Sequence, residues 1–198
     1  FALGNELNDD YDYTVAWFDC AAKGDSLGRG IYYVANPAGA ESGFEQAKRW
    51  SISVPITPPL SLVNRPTIGL YNKYYYWKQS KLANTQTTQS LEQYLYPLDA
   101  IKHWNRIYGP KGFQQYQCVV PTGNQQDAIR EIVTEISKSG VGSFLAVLKT
   151  FGNIVSPGLL SFPTGGTTLA LDFPQSNTLK PLFHRLDSIV SNANGRLY

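Results

Sequence analysis

Methionine is missing from all 198 residues, even from position 1, where the chain begins Phe1-Ala2-Leu3. That is not a native start, so a fragment of a longer chain is expected. Charge is also sparse: Asp, Glu, Lys and Arg make up 16%, below the usual quarter. Together with 42% apolar residues, this excludes a disordered chain and a coiled coil. Neither sign of charge dominates, because 17 basic and 15 acidic residues leave a net +2. That balance, without a Lys/Arg stripe, argues against a nucleic-acid partner. No apolar run reaches 18 residues, so no transmembrane segment is expected.

Cysteine and histidine number two each. Cys20 and Cys118 are too few for a disulfide framework, and each lies in an apolar, strand-like run. They read as buried free thiols. With His103 and His184 they show no paired ligand spacing, so no metal site is expected. There is no signal-peptide pattern. A fragment would have lost a targeting signal, which leaves the compartment open between the cytoplasm and the periphery of a membrane.

What the chain does have is length and aromatic rings. At 198 residues it can bury roughly 70% of its unfolded surface and needs no staples. Aromatics are 13% of the chain, with 13 Tyr. Five of them fall within Tyr71 to Trp77, a cluster for which the sequence offers only a core-packing account.

Alternation from Tyr11 to Phe18, then Ile31 to Val34 after a Gly-rich turn, predicts an antiparallel hairpin with a long loop. Prolines punctuate residues 36–66, so regular elements there must be short. The polar stretch 84–90 reads as a surface loop. After it the pattern becomes legible. Gln114 to Val120 is a strand, and Thr122 to Gln125 offers a capping box. A helix then carries Ile129, Ile132, Val133 and Ile136 on one face and stops at Gly140. Strands follow at Ser143–Phe151 and Thr167–Phe173. A second helix carries Leu179, Leu182, Phe183, Leu186 and Val190. Arg196-Leu197-Tyr198 begins a further strand. The order β-α-β-β-α-β in this C-terminal part predicts an α+β fold, a largely antiparallel sheet with helices packed on one face.

Period-2 alternation then separates two faces. Tyr116, Cys118, Val120, Phe144, Ala146, Leu148, Leu169 and Leu171 should pack on the helices. Gln115, Gln117, Val119, Leu145, Val147, Lys149, Thr168, Ala170 and Asp172 fall on the other side. Aliphatics with a few convergent polar groups suit a ligand site; an ordinary solvated sheet surface is the alternative. For Lys149 the alternative is a lysine guarding a strand edge, and for Trp17 it is plain core packing.

At these segments the sequence resembles the substrate domain of vanillyl-alcohol-oxidase-type flavoproteins, most of all the oxidases of the decaprenylphosphoryl-β-D-ribose 2-epimerase group. The resemblance is carried by Gly112-Phe113-Gln114-Gln115-Tyr116-Gln117-Cys118-Val119-Val120-Pro121 and by Tyr13-Thr14-Val15-Ala16-Trp17-Phe18-Asp19. Further support comes from Trp104-Asn105-Arg106-Ile107-Tyr108-Gly109-Pro110, Leu160-Ser161-Phe162-Pro163, Leu171-Asp172-Phe173-Pro174 and Gly195-Arg196-Leu197-Tyr198. These stretches keep family order, whereas residues 36–90 match poorly.

The resemblance implies that residues 1–198 are a substrate-binding (cap) domain, with an FAD-binding domain absent from this chain. It implies oxidation of a sugar carbinol by hydride transfer to FAD, within cell-wall arabinan precursor chemistry. The partners it implies are a sugar or polyprenyl-phospho-sugar substrate, the chain's own FAD domain and a reductase subunit. The fragment alone would be inactive. By position, the implied substrate-binding residues are Trp17, Gln115, Gln117, Leu145, Lys149, Phe151, Thr168 and Ala170. Lys149 is the catalytic candidate, although the family's essential Lys falls beyond Tyr198; Tyr198 and Gln117 would border the cofactor. The family's Trp-Asn-x-Cys run is Thr167-Thr168-Leu169-Ala170 here, and the Tyr before its His-Pro-Leu-Asp is Leu95. The implied pocket chemistry therefore differs. A sugar-lactone oxidase of the same superfamily, or a non-catalytic α+β ligand-binding module, are the rival readings.

Overall fold

The computed structural model describes residues 2–39 and 52–198; Phe1 and the 40–51 part of the proline-punctuated stretch lie outside the described residues. In chain order the elements begin with helix α1 (Ala2–Asn8), strands β1 (Tyr13–Phe18) and β2 (Gly30–Ala35), and the two-residue β3 (Ile52–Ser53). Helices α2 (Arg65–Ser80) and α3 (Leu91–Leu95) and the two-residue β4 (Ile101–Lys102) come next. Then follow β5 (Phe113–Pro121), α4 (Gln125–Ser139), β6 (Ala146–Phe151), β7 (Gly166–Pro174), α5 (Leu179–Asn192) and β8 (Arg196–Leu197).

Six strands form one sheet in the order β2-β1-β6-β7-β5-β8, and every neighbouring pair is antiparallel. The expected split arrangement is present: β7 lies between β5 and β6, and β5 lies between β7 and β8. The predicted hairpin is β1–β2, in register from Tyr13↔Ala35 to Phe18↔Gly30. No helix among the described residues is long and apolar enough to cross a membrane.

Helices α4 and α5 cover one face of the sheet. Ile129, Ile132, Val133 and Ile136 of α4 meet Leu182, Leu186, Ile189 and Val190 of α5 over Tyr116, Cys118, Val120, Ala146, Leu169 and Leu171. Both cysteines are free and buried, as their apolar surroundings predict. Burial pushes each thiol up to about 12, so neither is a nucleophile at neutral pH. Gly140 ends α4 in the left-handed conformation with φ 71°.

Three local expectations need correction. Helix α4 starts at Gln125 with Asn124 as N-cap and no side-chain cap bond, so Thr122 and Gln125 form no capping box. The Gln125 Oε1 instead accepts from Thr167 Oγ1 at 2.7 Å, tying the helix start to β7. Phe144 precedes β6 rather than belonging to it, and joins a second, smaller cluster with Val63, Ile68, Tyr108, Trp104 and Phe113. Lys149 is not an edge residue, because β6 lies between β1 and β7.

The aromatic run at 71–77 is part of α2. Asn64 caps that helix, accepting from the Thr67 N–H at 3.2 Å, while the Thr67 hydroxyl accepts from the Asn64 N–H. Pro66 sits in the first turn, where its missing N–H has no intrahelical partner to lose. Helix α2 lies against the sheet face opposite α4 and α5, at the hairpin end. Its Tyr75 ring is 4.6 Å from Trp17, and its Tyr71 meets Phe144 edge-on at 4.9 Å. Buried Asp19 pins this helix: its carboxylate accepts from Asn72 Nδ2 at 2.8 Å and from Arg29 at 2.7 Å.

Candidate functional site

Sheet registry decides which expected residues can meet. One row across the sheet reads Gln117, Ala170, Val147, Trp17 and Ile31. The next reads Arg196, Val119, Thr168 and Lys149. Gln115 stands opposite Asp172 in the row on the other side of Gln117. All of these point away from α4 and α5, as alternation requires.

A cleft of about 950 Å³ opens on the β5–β8 side of this face. Gln117, Phe151, Arg196 and Tyr198 line it, with Leu159 to Pro163 of the β6–β7 loop as its outer wall. Its aromatic rim is built edge to face. Phe162 lies 6.2 Å from Phe151 and 5.5 Å from Tyr198, each at 83°. The Tyr198 N–H donates to the Gln117 carbonyl at 3.1 Å. This fixes the backbone of Tyr198 while the residue as a whole stays 85% exposed. Gly195 makes the approach possible, since a Cβ there would sit 2.6 Å from the Val119 oxygen. Leu159 and Leu160 are fully exposed, which leaves the cleft an apolar outer lip.

The structure thus brings Gln117, Phe151 and Tyr198 around one space. Ala170 is the strand neighbour of Gln117, and Thr168 and Lys149 are paired in the adjacent row. Thr168 is buried, and its hydroxyl donates to the Cys118 carbonyl at 2.9 Å. Leu145 lies before β6 in a turn closed by Ser143, whose Oγ accepts from the Leu145 N–H and donates to the Leu145 carbonyl. Trp17 is not part of the cleft. It lies three strands from Gln117, about 14 Å at ordinary strand spacing. It is 7% exposed, and its indole N–H donates to the Phe144 carbonyl.

Two cations stand on the face. Arg196 lines the cleft and Lys149 sits beyond Thr168. No ion pair of the described residues engages either one. Asp172 falls on this face by alternation but is not among the candidate site residues. It is 1% exposed, and burial raises its carboxyl above the ordinary aspartate range, with the Gln115 hydrogen bond acting the other way. The strand pairing of Gln115 with Asp172 was the signal that would have singled it out, and that pairing needs the register. Phe162 and Arg196 were also missed, because each becomes a lining residue only when the β6–β7 loop and β8 close on the same edge.

No family model matches the chain. Among curated proteins it is 34% identical to decaprenylphosphoryl-beta-D-ribose oxidase of Mycolicibacterium smegmatis, over 98% of this chain and 43% of that protein. It is 28% identical to an "Uncharacterized protein in mprA 5'region" of Streptomyces coelicolor, over 94% of this chain and 54% of that protein. The chain therefore spans about half the length of these relatives. Along almost its whole length it is similar to one part of a decaprenylphosphoryl-beta-D-ribose oxidase.

Proposed function

We propose that residues 1–198 are the substrate-binding part of an FAD-linked oxidoreductase that oxidises a sugar carbinol, with the FAD domain lying outside this chain. The observation that carries this reading is the cleft that gathers Gln117, Phe151 and Tyr198, in a chain similar over 98% of its length to a decaprenylphosphoryl-beta-D-ribose oxidase.

The cleft's donor set suits the edge of a flat ring with a polar rim. Gln117 offers an amide that both donates and accepts, and Tyr198 offers an exposed phenol. For the rest of FAD the chain offers no sequence motif, because Gly24 to Gly30 is neither a dinucleotide fingerprint nor a phosphate loop. When bound, FAD supplies the hydride acceptor. The chain's own part is to hold and orient the carbinol. Gln117 accepts a hydroxyl proton or donates to a ring oxygen, fixing which carbon faces the cofactor edge. Phe151, Phe162 and Tyr198 shield the reacting carbon from water on one side. Lys149 and Arg196 supply positive charge for a substrate phosphate, or for the negative charge that grows on the carbinol oxygen as its proton leaves.

The test uses the full-length enzyme. A panel of sugars, sugar lactols and polyprenyl-phospho-sugars is mixed anaerobically with it, and flavin bleaching is followed. Reduction by a polyprenyl-phospho-ribose supports the reading. Reduction by free sugars alone moves the assignment to a sugar-lactone oxidase, and bleaching by none supports a binding module. Gln117→Ala and Lys149→Ala should each lower turnover about tenfold, the worth of one lost hydrogen bond, with FAD retained. Parental rates in both variants would remove this face from the active site.

A further inference from the structure

Gln115 and Asp172 face each other across the β5–β7 pair. The Gln115 Nε2 donates to Asp172 Oδ1 at 2.9 Å. Asp172 is buried while Gln115 is exposed, so the carboxylate is the inner member and the amide the outer one. Among the described residues the other carboxylate oxygen, Oδ2, is buried without a partner. The Asp172 N–H donates to Ser143 Oγ at 3.2 Å, which holds the backbone and leaves the carboxylate to Gln115. Its strand neighbours Leu171 and Phe173 are fully buried on the opposite face, and Asp172 itself is 1% exposed, so this part of β7 is covered on both sides. An ion at this position is costly, and a hydrophobic side chain would serve packing better.

What the carboxylate provides is polarity. A glutamine amide is nearly symmetric in shape but opposite in chemistry at its two ends, and packing alone does not choose between them. An ionised carboxylate only accepts, so the NH2 end must turn inward and the carbonyl oxygen outward. We propose that Asp172 is a positioning residue that holds the Gln115 amide with Oε1 directed away from the sheet, so that Gln115 recognises a hydroxyl donor on the ligand. The identity of that ligand as a sugar rests on the proposed function; the fixed sense of the amide does not.

Two arms test this. In the full-length enzyme, kcat/KM is compared for a short-chain polyprenylphosphoryl-β-D-ribose and its single O-methyl ethers, in the parent, Asp172→Leu, Asp172→Asn and Gln115→Ala. The parent should reject one methyl ether by about tenfold, the worth of one hydrogen bond. That rejection should fall to about threefold or less in Asp172→Leu and in Gln115→Ala, with no further loss when the two are combined. Asp172→Asn keeps the shape and can face either amide end, so it should also lose most of the discrimination; it decides the matter if Asp172→Leu does not fold. The second arm is the NMR signal of the Gln115 side-chain NH2. One proton should be shifted downfield in the parent and return toward the free-amide position in Asp172→Asn. Unchanged discrimination together with an unchanged amide signal overturns the proposal. If no phospho-sugar reduces the flavin, the proposed function fails while the amide signal still decides the positioning role.

Discussion

The two faces of the sheet are built from different materials. On one, α4 and α5 bury an almost purely aliphatic stripe whose spacing repeats every third and fourth residue. On the other, α2 lays tyrosines against Trp17 and Phe144, and the remaining area keeps amides, cations and a buried carboxylate. The first face needs only volume and period. The second is held by specific pairs, such as the Tyr33 and Tyr75 hydroxyls at 2.9 Å and the Asp19–Asn72–Arg29 set. A periodic apolar stripe secures the fold; a set of matched polar pairs places one helix and leaves the rest of the face free for a ligand.

Substitutions on the two faces sharpen the contrast. Leu182→Ala, at a fully buried α5 position, should cost about 2–5 kcal/mol in urea unfolding, because it opens a cavity in close-packed aliphatics. A cost below about 1 kcal/mol would mean that the aliphatic face is loosely packed. Tyr75→Phe removes one hydroxyl from the aromatic face and leaves that of Tyr33 without this partner. It should cost about 1 kcal/mol, and a loss as large as that of Leu182→Ala would erase the distinction. The smallest effect belongs to the outer surface of α4. Glu135 accepts from Lys138 and Arg185, each at 3.0 Å, and these cations hold its carboxyl below the usual glutamate range. A depressed folded-state value means a stabilising contribution present above the ordinary glutamate value and lost as pH falls through the depressed one. Glu135→Gln should therefore lower the unfolding free energy slightly at neutral pH, by less than about 1 kcal/mol. The difference from the parent should vanish in acid.

The same contrast explains which parts were legible. The α4 and α5 stripes, the strands between them and Gly140 could be read because each is a local pattern with a fixed period. Helix α2 could not, since Tyr71, Tyr74, Tyr75, Tyr76 and Trp77 fill several sides of the helix and leave no single apolar stripe. Its real signal was the Asn64-Arg65-Pro66-Thr67 start, in which Pro66 opens a helix rather than breaking one. The capping box at Thr122 failed for a related reason. A Gln near a helix start also has partners outside the helix, and here the Thr167 hydroxyl takes it.

For the candidate site, alternation alone placed Gln115, Gln117, Lys149, Thr168, Ala170 and Asp172 on one face, and that assignment needs nothing beyond the pleat of a strand. Depth, neighbours and polarity came only with the tertiary structure. Trp17 shares the row of Gln117 yet packs under α2, Thr168 gives its proton to the backbone, and Phe162 reaches the cleft from a loop. The sequence determined the period and the face, because these follow from the geometry of a single chain. Which side chains close a space together, and which end of an amide is turned outward, was decided by strand register and loop closure, which bring residues far apart in sequence to within a hydrogen bond of each other.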